Sequence, residues 1–199
     1  MKGEPMRRIA SGLASVLVAS ALSACGGATL AGAVLQMAGV QRPPELPDAQ
    51  KPPRTVSIRL HAASTLNSGN GGPPLALVAR VYTLRQAEAF ERVPYAGFAN
   101  PQAERELLGP DLLGVKEVLL IPGQHYEVQQ KVSREAGFIG IVALFRAPDG
   151  QRWRAAFPAA AAEQSGITLG LHGCALTAGA GAPPRQRQLS RPLSEAHCT

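Results

Sequence analysis

Three cysteines are the residues of this chain best able to form covalent bonds, and they stand in two settings. Cys25 closes the run Leu22-Ser23-Ala24-Cys25, which places small residues directly ahead of a thiol, as a bacterial lipobox does. The chemistry such a run permits is a diacylglyceryl group on the thiol, cleavage between Ala24 and Cys25, and acylation of the new amino terminus. Several acyl chains on one residue make a stable anchor, whereas one chain binds only marginally. The preceding segment fits that role. Lys2, Arg7 and Arg8 lead into fourteen uncharged residues, 9–22, which suits a signal-peptide core and is short for a membrane-spanning helix. Gly26 occupies the position where an Asp would direct retention in the inner membrane. The expectation is therefore lipid on Cys25, an outer-membrane address and a chain facing the periplasm; the alternative is an ordinary secretory leader with a coincidental cysteine.

Once Cys25 is acylated, Cys174 and Cys198 remain as an even pair in an oxidising compartment, where a disulfide is the expected chemistry. It would close a loop of roughly 25 residues, worth about 3–4 kcal/mol in chain entropy. Two free thiols are the competing reading, and a metal site with His172 or His197 lacks a tight ligand cluster.

Catalytic chemistry needs titratable groups that converge, and the sequence offers few. The aspartates are Asp48, Asp111 and Asp149, each in a turn or a Pro-rich stretch. His61 and His172 fall on the outward phase of strands. Ser57 and Ser64 lie near His61 without a nucleophile setting, and Gly69–Gly72 lacks the Lys-Ser/Thr and helix of a phosphate-binding loop. Glu104 and Glu106 share a short helix but point to different sides. No catalytic, cofactor or metal constellation emerges. Formal charge is +6, and removing Lys2, Arg7, Arg8 and Glu4 with the leader leaves +4. The basic residues are spread thinly, without the basic–aromatic interleaving of a nucleic-acid groove, so nucleic acid is not an expected partner.

The elements that must position these residues read mainly as β. Gly 21 and Pro 17 in 199 residues favour short elements joined by many turns. The expected organisation is a signal peptide over 1–24, a lipidated Pro-rich tether over 25–53, a folded domain over 54–176 and a mobile tail over 177–199. Within the domain, Val56, Ile58 and Leu60 alternate with polar residues as a first strand. Leu75–Leu84 is a second, and helices over Gln86–Arg92 and Pro101–Leu108 follow as an insertion. Further strands are expected at Val115–Ile121, Tyr126–Val132, Phe138–Phe145, Arg152–Phe157 and Ile167–Leu171. The unbroken apolar run Phe138–Phe145 belongs in mid-sheet with both faces covered, and Trp153 belongs in the core. Seven short strands with two inserted helices between strands two and three make a two-sheet β-sandwich. The connection between the first two strands is long for a hairpin. It is either a recognition element or a flexible connector.

Several fragments together resemble one family. They are Ile58-Arg59-Leu60-His61-Ala62-Ala63-Ser64-Thr65-Leu66-Asn67, Val78-Ala79-Arg80-Val81-Tyr82-Thr83-Leu84, Leu108-Gly109-Pro110-Asp111-Leu112-Leu113, Leu120-Ile121-Pro122-Gly123, Gly140–Arg146 and Trp153-Arg154-Ala155. In this order the sequence resembles the TssJ (SciN, VasD) family, the outer-membrane lipoprotein of the type VI secretion system. The resemblance implies a transthyretin-like sandwich with added helices, acting without catalysis as a scaffold in a membrane complex with TssL and TssM. It further implies that the loop after the first strand binds the periplasmic C-terminal domain of TssM. That loop matches Ser64, Thr65, Leu66, Asn67, Ser68 and Asn70, with Leu66 and Asn67 the first choices for contact. The tail bearing Cys174 and Cys198 departs from the family core. The rival reading is a periplasmic sandwich lipoprotein that binds a small ligand or envelope glycan in a groove lined by Trp153 and tyrosines.

Overall fold

Val56, Ile58, Leu60 and Ala62 alternate with polar neighbours along β1 (Arg54–Ala62), and all four are buried. Period-two burial of this kind makes one face of a strand the floor of a core. In the computed structural model, which describes residues 46–47, 50–181 and 183–199, β1 is the axis of a first sheet. The leader, Cys25 and most of the tether expected from sequence lie outside the described residues.

The first sheet has the order β4-β1-β7-β8, with β4 at His125–Val132, β7 at Ile167–Leu171 and β8 at Leu176–Ala178. β4 is antiparallel to β1, while β7 is parallel to it. Its outward face is polar: Arg59 pairs with Glu127 at 3.0 Å, next to His61 packed edge-on against His125. The second sheet has the order β3-β2-β5-β6 and is antiparallel throughout, with β2 at Leu77–Leu84, β3 at Leu112–Leu120, β5 at Phe138–Ala143 and β6 at Arg154–Pro158. The fold is thus mainly β, two sheets of four strands each.

β5 is buried along nearly its whole length because both of its sides are covered, one by the first sheet and the other by helices. These are α1 (Glu88–Arg92), α2 (Tyr95–Ala99) and α3 (Pro101–Leu108). Tyr82 of β2 interlocks there with Phe90 and Phe98 at centroid separations of 5.4 and 5.7 Å, and Trp153 reaches Phe98 at 5.5 Å. Gly140 permits this approach, since a Cβ would sit 2.8 Å from the Phe90 ring. Arg80, on the same face of β2, is buried and pairs with the buried Glu104 and, at 2.7 Å, with Glu117. A charge taken from water is tolerable only with such partners. Arg154 donates to the carbonyls of Phe90 and Val93, fixing the end of α1.

Three details correct the sequence reading. The insertion holds three short helices and not two. Pro94 ends α1 as expected but then caps α2, where its missing N–H leaves no intrahelical bond unmade. A fourth helix, α4 (Ala159–Ser165), links β6 to β7. The tail read as mobile contributes β8, buries Leu189 completely and forms 3-10 turns at Arg187–Ser190 and Leu193–Glu195. Arg185 N–H donates to the Ala156 carbonyl, and Gln186 Oε1 accepts from Ala156 N–H. The tail therefore occupies hydrogen-bonding positions along edge strand β6, which would otherwise be open to pairing.

Candidate docking surface at the loop end

Strand directions bring four connections to one end of the sandwich: residues 63–76, 121–124, 144–153 and 172–175. The longest, between β1 and β2, is not a free flap. Asn67 holds it. Its backbone takes φ of +54°, a left-handed conformation that Asn tolerates better than most residues. Its N–H donates to the His172 carbonyl at 3.0 Å, and its Nδ2 donates to the Ala76 carbonyl at 3.0 Å. Its Oδ1 accepts from the Arg146 N–H at 2.7 Å. Gly69 N–H reaches the Gly173 carbonyl at 3.0 Å, Gly123 N–H the Ala63 carbonyl at 3.2 Å, and the Arg146 guanidinium the Ser68 carbonyl at 3.0 Å. Every connection at this end thus touches another through the backbone or through Asn67.

This anchoring divides the residues singled out in the sequence. Ser64, Thr65 and Asn70 are exposed. Leu66 is 0% exposed, Asn67 6% and Ser68 9%. The expectation that Leu66 and Asn67 meet a partner is corrected by that burial: the Leu66 side chain is spent in the core, and both amide groups of Asn67 are spent on the loop's own geometry. Ser68 likewise faces inward. The sequence reading missed the apolar fringe beside the loop, namely Leu75, Leu119 and Ile121 at 37%, 64% and 56% exposure. A signal was present, because Val115, Glu117 and Leu119 share the outward phase of β3, Ile121 follows just past its end, and three of the four are apolar.

Two titratable groups sit behind the loop. His172, past the end of β7, is half-buried and not solvated on an outward strand face as the sequence suggested. Burial, then the nearby Arg152 charge, lowers its pKa, and its Nε2 lies 2.9 Å from Thr177 Oγ1. Burial works to raise the pKa of Asp149, but the His197 N–H at 2.9 Å and the Arg152 guanidinium outweigh it and hold the carboxyl below its ordinary value. His172 thus meets one hydroxyl, and Asp149 serves a backbone amide and a guanidinium. Among the described residues no group of three or more His, Cys, Asp or Glu is arranged to hold a metal ion. Trp153 is 4% exposed and wedged against Tyr95 and Phe98, so it offers no stacking platform to a sugar. What this end presents is a rigid, mixed polar and apolar surface, suited to contact.

Residues 54–174 match the family described as type VI secretion lipoprotein, VasD, EvfM, TssJ. The chain belongs to that family. No curated protein matches it. Among solved structures, the type VI lipoprotein TssJ1 from Pseudomonas aeruginosa is 30% identical, with 68% of this chain and 100% of that one covered and a TM-score of 0.58. A chain of a type VI membrane complex is 26% identical over 63% of this chain and 98% of its own, also at a TM-score of 0.58. A chain in the structure of the type VI protein TssM C-terminal domain from EAEC is 25% identical over 63% and 98%, with a TM-score of 0.53. The β-sandwich is thus that of TssJ lipoproteins, and membership in a type VI secretion lipoprotein family agrees with the lipobox.

Proposed function

We propose that this type VI secretion lipoprotein is a non-catalytic structural subunit that docks the periplasmic C-terminal domain of TssM through its loop end, within a membrane complex that also holds TssL. The acyl chains on Cys25 fix it to the outer membrane, and residues 25–53 tether the sandwich in the periplasm. As a loose coil such a tether reaches on the order of 30 Å. One observation carries the reading: the β1–β2 loop is rigidly braced from within, yet keeps Ser64, Thr65 and Asn70 exposed beside Leu75 and Ile121. Preorganisation lowers the ordering cost of association, and an exposed apolar fringe marks a contact surface. The solved relatives from a type VI membrane complex and alongside a TssM domain support the same partner.

Thr65→Glu puts a charge on the exposed crest without disturbing the braces. Calorimetry against the TssM periplasmic domain should show affinity about tenfold weaker, ~1.4 kcal/mol; an unchanged constant assigns the partner to another face. Cys25→Ser should abolish secretion in cells although the sandwich still folds, and normal secretion by that variant removes the anchor from the account.

A further inference from the structure

The family match stops at Cys174, yet the chain continues past it and returns to the docking end. A disulfide joins Cys174, in the β7–β8 turn, to Cys198. Cys198 also bridges Asp149 in β-fashion, and its carbonyl accepts from Asn70 Nδ2 of the β1–β2 loop at 3.2 Å. Thr199 Oγ1 donates to the Pro148 carbonyl at 3.0 Å, while Arg152 donates to the Arg191 and Pro192 carbonyls. The last residues are thus pinned at both ends into a hook beside the loop.

Backbone bonds, the Cys198 disulfide and the Thr199 hydroxyl hold the hook, while Leu193, Arg191 and Glu195 lie outward, the last two paired with each other at 2.9 Å. Leu193 is 40% exposed, and the side chains of Arg191 and Glu195 are 67% and 45% exposed. An open cleft of about 400 Å³, lined by Asp149, Arg152, Arg191, Glu195, His197 and Thr199 among others, remains between the hook and the β5–β6 connection. A segment that is covalently closed, touches the loop, walls an open cleft with Arg191, Glu195 and His197 and carries an exposed leucine between the first two is shaped to receive a partner.

We propose that the hook Arg191–Thr199 is a second wall of the docking surface, contacting the same partner domain as the β1–β2 loop, so that partner affinity depends on the Cys174–Cys198 disulfide. The inference rests on the docking function proposed above. Its chemical demand on the partner is an apolar spot opposite Leu193, flanked by polar groups that can meet the exposed Arg191–Glu195 ion pair. Closure of the disulfide presets this wall, whereas a reduced tail must be ordered on binding.

The test is calorimetry of the mature chain with the TssM periplasmic domain, using Cys174→Ser/Cys198→Ser, Leu193→Glu and, in parallel, Thr65→Glu. The expected result is affinity about tenfold weaker for the double serine variant and at least several-fold weaker for Leu193→Glu, which keeps the disulfide and decides the matter should the serine variant misfold. If Thr65→Glu weakens binding while a folded serine variant and Leu193→Glu match the parent, the hook proposal is overturned and the loop docking stands. If no variant changes affinity, docking at this end is overturned, and the hook with it. If only the hook variants weaken, the hook holds and the loop loses its share.

Discussion

Over the outer face of the second sheet, Tyr82, Phe90, Phe98 and Trp153 interlock around a buried Arg80–Glu104 pair. At the loop end the holding groups are instead main-chain amides, Asn67, the Arg146 guanidinium and one disulfide. Both regions are irregular chain packed on regular strands. The helical insertion turns its large side chains inward and leaves only Leu107 as a large exposed apolar residue on α1–α3, so its architecture serves stability. The loop end also buries Leu66, Phe145 and Trp153, but its crest is stiffened by directional bonds and leaves apolar and polar side chains outward. Bracing by hydrogen bonds fixes shape at small cost in surface, which is what a docking element needs.

The largest effect that could break this contrast belongs to the insertion. Phe98→Ala should destabilise the fold by about 3–5 kcal/mol, the usual cost of emptying a buried aromatic site, as read by denaturant unfolding, while folded material still binds the partner. Selective loss of binding without loss of stability would move the docking surface onto the helices. Asn67→Ala is expected to cost less, about 1–3 kcal/mol, because it orphans the Ala76 carbonyl and the Arg146 N–H and places an alanine at positive φ. Here binding should fall by more than stability accounts for, since the crest loses its shape; a loss of stability alone makes the loop merely structural. The smallest effect is acid loosening of the hook. Asp149 has a depressed folded pKa, so its contribution is complete above the unfolded carboxyl value of about 4. It is lost as pH falls through the lower folded value. The His197 amide, which donates to Asp149, should therefore lose hydrogen-exchange protection only below about pH 4, and protection lost already near neutrality would contradict that bond.

What was legible in the sequence was local. Alternation in Thr55–His61 and Tyr126–Val132 marks half-buried strands, and the unbroken run at Phe138–Phe145 marks a strand covered on both faces; burial in the structure follows each pattern. The sandwich of TssJ lipoproteins was recognisable because motifs of this kind recur in order. What was hidden depends on distant neighbours. Leu66 sits among turn residues and reads as surface until His172 and Arg146, far along the chain, close around Asn67. Arg80 on an outward strand phase reads as solvated until α3 brings Glu104 over it. Ala159–Ala162 carries no polar stripe, so its helix has no periodic mark even though alanine favours helix and Gly166 caps its end. The tail was misjudged because its fixing bonds are mostly long-range backbone contacts, which composition does not encode.

Docking through the loop end is decided by where the partner touches. Hydrogen–deuterium exchange of the mature chain, alone and with the TssM periplasmic C-terminal domain, should show new protection in residues 63–76, joined by 191–199 where the hook also makes contact, and little change over 88–108. Protection confined to the helical insertion, or none anywhere at concentrations that saturate the partner, would contradict it.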